Sequence, residues 1–218
     1  MVPLDPKLFA MFLATGLLLN VTPGPDMLFV LASGTSHGRG SGIRAALGIG
    51  AGSMVHTVFA AAGVSAVLAS SAALFALVKY AGAAYLVVLG VRSVFAKSGA
   101  GAGAGAGEAG GGAAAGAARR VFVRGVVTNV LNPKVALFFL AFMPQFVDPA
   151  RGRVPLQLLL LGLLFCTTGT IVNACVGAMA GTLGGILTRN ARWKRTLDRA
   201  TGAVFIALGL KLALADRR

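Results

Sequence analysis

This sequence is short of acidic side chains. Six Asp and Glu stand against twenty Lys and Arg, for a formal net charge of +14. No two acids are placed to act as a general acid and base. The phosphate-gripping G-x-x-x-x-G-K-[ST] and the metal-binding H-E-x-x-H are missing, so this chain is not expected to hydrolyse ATP or to be a zinc peptidase. Two histidines, two cysteines and one acid at membrane depth make a poor metal site. No cofactor or enzymatic activity is expected. Cys166 and Cys175 lie on one apolar run, where nine residues of helix put them about 13 Å apart, too far for a disulfide.

What the chain has in abundance is apolar side chains. It is 56% hydrophobic and only 12% charged, with a mean hydropathy of +0.82. That excludes an ordinary soluble domain. The positive charges fall between apolar runs rather than on a domain of their own, so they read as loops flanking membrane spans, not as a nucleic-acid surface. Runs near 20 residues recur, the length that crosses about 30 Å of hydrocarbon. Six spans are expected, at 8–33, 45–69, 74–95, 121–146, 156–187 and 197–215. The first is read as a span rather than a leader, because the apolar run resumes after Asp26.

A Gly/Ala tract over 98–118 with a single Glu has nothing to bury and reads as a flexible linker. It divides similar halves. Thr22-Pro23 follows Asn20 in the first span, and Asn132-Pro133 follows Asn129 in the fourth. Thr and Asn cap helices and Pro suits the first helical position, so each pair predicts a break followed by a new half-helix. Gly82-Ala83-Ala84-Tyr85 with Leu89-Gly90 in span three is echoed by Gly202-Ala203-Val204-Phe205 with Leu208-Gly209 in span six. The expected fold is an all-α integral membrane protein: repeats at 1–97 and 121–218 joined by a linker at 98–120. Three spans per half turn the second copy upside down, and the broken first helices meet near the midplane. With both termini outside, the inner loops hold twelve Lys and Arg (Arg39 and Arg44, the group from Arg92 to Arg124, and that from Arg189 to Arg199) against seven on the outer side. Glycines four apart, Gly48/Gly52 and Gly177/Gly181, read as close helix packing.

One acid falls at membrane depth, Asp26, where a charge costs about 2.5 kcal/mol or more. It sits in Asn20-Val21-Thr22-Pro23-Gly24-Pro25-Asp26. The prolines and glycine there release carbonyls and amides that helices normally satisfy. Freed carbonyls can take an ammonium, and a helix N-terminus can take a carboxylate. Together these are the two ends of an α-amino acid. Against this, an acid in a first helical turn also merely stabilises the helix. Lys134 occupies the first turn of its own half-helix, where a cation is disfavoured, and is expected to face Asp26 across the repeat interface. His56 reads either as a satisfied core residue or as a proton relay. Asn20, Asn129 and Asn173 read either as substrate ligands or as interhelical hydrogen-bonding groups.

These motifs, with Ala136-Leu137-Phe138-Phe139 running on to Phe146, and with Gly48-x-x-x-Gly52 leading to His56, resemble the lysine exporter (LysE/RhtB) family of amino-acid efflux translocators. The likeness runs along nearly the whole chain except the linker. It implies a bacterial inner-membrane protein that expels amino acids with the proton motive force. The central motifs carry over as Pro23, Gly24, Pro25 and Asp26, and Asn132, Pro133 and Lys134, with Asn20, Thr22, His56 and Asn129 beside them. The expected partners are an amino acid, protons, the lipid bilayer and, as a candidate assembly, a second copy of the chain. The expected function is export of threonine, homoserine or branched-chain amino acids by proton antiport. The alternatives are a passive channel, or a metal or anion exporter on the same scaffold.

Overall fold

The computed structural model describes residues 4–64, 72–95, 114–180 and 191–214; the remainder of the Gly/Ala tract and the far ends of the second and fifth expected spans lie outside them. Among the described residues every regular element is helical. They are α1 (Pro6–Val21), α2 (Pro25–His37), α3 (Arg39–Phe59), α4 (Ala72–Val94), α5 (Ala114–Val130), α6 (Pro133–Leu137), α7 (Val154–Ala178) and α8 (Ala191–Leu214).

Proline places both expected breaks. The residue before a proline is pushed out of the helical region. Thr22 before Pro23 is extended (φ −65°, ψ 121°), and so is Asn132 before Pro133 (φ −77°, ψ 108°). Across each break the chain bends by 48°. At the second, Asn132 caps α6 as expected, its Oδ1 accepting from the Lys134 amide at 3.0 Å, with Pro133 at the first position. At the first, the register differs. The half-helix α2 begins at Pro25 behind an extended Gly24, not behind Thr22. Thr22 instead finishes α1, donating its hydroxyl to the Leu18 carbonyl at 2.6 Å. That bond turns the side chain back onto α1 rather than toward the amides of the next helix, and the second proline, Pro25, supplies the next usable start.

After α6 the chain widens into a π-turn over Phe138–Phe142 and tightens into a 3-10 turn over Met143–Phe146. Pro144 explains both, since its ring clashes with the carbonyl four residues back and it cannot donate to it. Phe138, Phe139, Phe142 and Phe146 thereby pack with Phe12 and Phe165 in the main core. The closest of these contacts stacks Phe138 on Phe165 at 4.5 Å.

Helix α5 begins at Ala114, so the last part of the expected linker, residues 114–120, is helix. Ala is the best helix former, and a helix nucleated by the following span extends into it. The α2–α3 turn rests on Gly38, whose φ of 80° with ψ of 170° suits only glycine.

Helices cross where small residues allow backbones to touch. A Cβ on Gly42 would lie 2.6 Å from the Gly177 carbonyl, one on Gly125 2.7 Å from that of Ala45, and one on Gly90 2.6 Å from that of Gly202. These contacts pin α3 to α7, α3 to α5 and α4 to α8. The close packing expected at Gly48, Gly52 and Gly177 is present; Gly181 lies outside the described residues. By length and composition, α3 and α7 are long and apolar enough to cross a membrane, and the bent pairs α1–α2 and α5–α6 raise that number to four.

Asp5 caps α1, accepting from the amides of Lys7 and Leu8, and pairs with Arg151 at 3.0 Å. The Leu8 amide is the main influence holding the Asp5 carboxyl below its ordinary pKa. The loop carrying Arg151 is tied down by Gln157, fully buried, which donates to the carbonyls of Asp148 and Gly152 at 2.8 and 2.7 Å. The start of α1 and the loop before α7 therefore share one end of the molecule.

Candidate functional site

Two charged side chains are buried where the breaks meet. Asp26, in the first turn of α2, is 8% exposed and Lys134, in the first turn of α6, is 7% exposed. Both line one cavity with Asn20, Thr22, Ser53, Asn129, Thr170 and Asn173. Its volume is about 20 Å³, room for roughly one water molecule.

The two charges share the cavity but do not form a direct ion pair, contrary to the sequence expectation that each would be the other's partner. No ion pair within 4.0 Å joins Asp26 to Lys134; pairs at that distance join Arg151 to Asp5 and to Asp148. The Lys134 ammonium donates instead to the backbone carbonyls of Leu19 and Thr22, at 3.0 and 2.9 Å. These are the carbonyls that the first break strips of helical partners. The cation is poorly placed on its own helix but well placed at the C-terminal, negative end of α1. Gly24 leaves it room: a Cβ there would sit 3.3 Å from Nζ.

Asp26 is held from the other repeat. Asn129 Nδ2 donates to Asp26 Oδ2 at 2.7 Å, while Asn129 Oδ1 accepts from the Ser53 hydroxyl at 3.2 Å. The Asn129 backbone carbonyl, also near the end of α5, lies 3.2 Å from His56 Nε2. A carbonyl only accepts, so that nitrogen carries the proton. His56 also stacks on Phe139 at 5.7 Å. It is a bonded neighbour of the site rather than part of the cavity wall.

Of the residues singled out from the sequence, Asn20, Thr22, Asp26, Asn129 and Lys134 meet at the cavity. Pro23, Gly24, Pro25, Asn132 and Pro133 shape the breaks behind it. Asn20 also joins helices, its amide donating to Thr168 Oγ1 at 3.0 Å and to the Phe165 carbonyl at 3.3 Å. Sequence reasoning missed Ser53 and Thr170 and left Asn173 open. Their signal is faint but present. Thr170 and Asn173 stand three apart on α7, the spacing that puts two polar groups on one face of an apolar helix.

No group of three or more potential metal ligands occurs among the described residues. The letters G-x-S-x-G do occur, at Gly34-Thr35-Ser36-His37-Gly38. They lie at the C-terminal end of α2, not on the strand-to-helix elbow that gives that pattern its nucleophile.

A family model described as LysE type translocator matches residues 17–216. A homoserine/homoserine lactone efflux protein of Salmonella typhimurium is 28% identical over 204 residues, covering 94% of this chain and 95% of its own. A protein of Vibrio cholerae described as an uncharacterized membrane protein is 30% identical over 212 residues, covering 97% and 99%. Another so described, from Pseudomonas aeruginosa, is 33% identical over 196 residues, covering 88% of each. No solved structure matches the chain.

Proposed function

The chain belongs to the family of LysE type translocators, and from that premise we propose that it exports small zwitterionic amino acids by alternating access coupled to proton antiport. The observation that carries the reading is the reciprocal pair of bonds at the breaks. Asn129 of the second half holds Asp26 of the first, and Lys134 of the second holds the carbonyl end of α1. A negative and a positive group are thus offered side by side at membrane depth, matching the ammonium and carboxylate of an amino acid. The Salmonella relative's name, an efflux protein for homoserine, is consistent with that chemistry.

In this cycle the substrate ammonium meets Asp26. Its carboxylate meets Lys134 and the amides of Asp26 and Met27, which precede the first bond at the start of α2, from the Leu28 amide to the Gly24 carbonyl. Protonation of Asp26 removes the ammonium's counter-charge and releases it, which gives antiport its physical handle. An amino acid does not fit a cavity of about 20 Å³, so loading requires the cavity to widen between the breaks.

The architecture we assign is six spans in two inverted repeats in a bacterial inner membrane, both termini outside. Pairing of α3 with α7 and of α4 with α8, the corresponding helices of each half, supports the repeat. The Asp5–Arg151 contact supports an even number of crossings between them. Residues 98–113 act as a tether in this scheme. Their replacement by a Gly/Ser segment of equal length is expected to leave export unchanged, and lost export with normal membrane insertion overturns the assignment.

The direct test is efflux from preloaded vesicles across the amino acids with an imposed pH gradient. Uphill efflux that collapses with an uncoupler is expected; efflux indifferent to the gradient favours a channel instead. Threonine, homoserine or leucine is expected to outcompete lysine more than about a hundredfold. A second cation beside Lys134, with Asp26 alone to offset both, costs several kcal/mol at about 1.4 kcal/mol per tenfold. Clear preference for lysine refutes the charge argument.

A further inference from the structure

Two acceptors in the wall of the cavity have no donor: Asp26 Oδ1 and Asn173 Oδ1. Their residues are 8% and 6% exposed. Buried acceptors are almost always satisfied, and each exception calls for a reason. The free end of each group is fixed by the bond its other end makes. Asp26 Oδ2 is taken by Asn129 at 2.7 Å. Asn173 Nδ2 donates to the Gly169 carbonyl at 2.9 Å; a carbonyl only accepts, so the Asn173 oxygen is the unspent atom. One free acceptor thus comes from α2 and one from α7, on the same small cavity.

Two of the side-chain donors nearby are committed elsewhere. Lys134 Nζ is bonded to Leu19 and Thr22, and the Ser53 hydroxyl to Asn129. Of the other unsatisfied buried atoms among the described residues, Ser41 Oγ belongs to a residue outside the cavity lining, while Asn132 Nδ2, also outside it, is an unbonded donor on a side chain beside Asp26 that can answer the carboxylate but not Asn173. One water, with two O–H donors, can answer both acceptors while the cavity is this small; a ligand that replaces it and also matches a carboxylate carries several N–H donors and a positive charge. A hydroxyl, with its single donor, satisfies only one of them.

We propose that Asn173 is a substrate-binding residue, forming with Asp26 the ammonium subsite of the transported amino acid. This rests on the amino-acid reading above and deepens it. The carboxylate is left to the Lys134 side, so the two ends of the substrate are told apart by position. Because α2 and α7 each supply one acceptor, a bound ammonium also ties the two repeats together.

The test uses the full chain in nanodiscs, with two ligand pairs differing only in the α-amino group: homoserine with 4-hydroxybutanoate, and leucine with 4-methylpentanoate. Wild-type protein is expected to bind the amine-bearing member of at least one pair about tenfold or more tightly. Asn173→Leu, close in size, and Asn173→Ala, which adds no volume, are expected to weaken that ligand about tenfold to a hundredfold. Both should leave its deaminated partner within about twofold, the non-additivity that marks direct contact. If wild type ignores the amino group in both pairs, the amino-acid reading falls and this inference with it. If wild type prefers the amine and both variants keep that preference, or lose both ligands equally, only the role of Asn173 is overturned.

Discussion

Asp26→Asn is expected to abolish uphill amino-acid export while the protein remains in the membrane at wild-type abundance. The substitution is nearly isosteric. Asp26 accepts one hydrogen bond, from Asn129 Nδ2 at 2.7 Å, and an asparagine oxygen in the same place accepts it equally. The Lys134 ammonium keeps its two carbonyls, so the breaks stay cross-linked and the fold survives. What disappears is the negative charge and the ability to take a proton. If Asp26 only stabilised the start of α2, the loss would be about 0.3–1 kcal/mol of helix stability, and export would continue. Proteoliposomes with an imposed pH gradient separate these outcomes. Loss of exchange together with uphill export is the outcome the ammonium site requires; exchange that persists without responding to the gradient leaves Asp26 a coupling group that does not hold the ammonium. Wild-type uphill rates leave it as a helix-terminal acid and end the proposed mechanism.

Lys134→Met is expected to remove export and also to lower stability substantially, a double effect that Asp26→Asn lacks. The side chain is buried and serves two acceptors. Without it the carbonyls of Leu19 and Thr22 are each left without a donor, at about 1–3 kcal/mol apiece. Asp26 then becomes a buried charge with no cation in its cavity, which adds a further cost. Thermal unfolding in detergent reads the loss. The double variant Asp26→Asn with Lys134→Met is expected to regain part of the stability, since removing both charges is often near neutral, and none of the export. Wild-type melting in Lys134→Met alone would show that the ammonium is not holding α1.

Much of the site was legible because its causes are local. A proline acts on its own peptide and on the residue before it, so Pro23 and Pro133 announce the breaks wherever the rest of the chain goes. Asn132 caps α6 through a bond spanning two residues. Asp26 stands out because an acid in an apolar run is costly in any arrangement. The register of the first break was less legible. Thr22 and Gly24 can both end or begin a helix, and the choice fell to the bond from Thr22 back to Leu18 and to Pro25. The linker boundary was hidden for a similar reason, as an Ala-rich segment becomes helix when a helix beside it extends.

The sequence by itself therefore determined the class of molecule, the positions of both breaks, and the identity of the two buried charges. Tertiary structure decided what those charges hold. Lys134 reaches carbonyls 115 and 112 residues away, and Asp26 is held by an asparagine 103 residues away. Side-chain chemistry made Asp26 look like the natural partner for Lys134, because it is the visible anion. Every residue carries a backbone carbonyl, so residue identity does not mark which ones will be free to accept. Only the meeting of a broken helix end with the opposite half-helix selects Leu19 and Thr22, and that meeting depends on how the two halves pack.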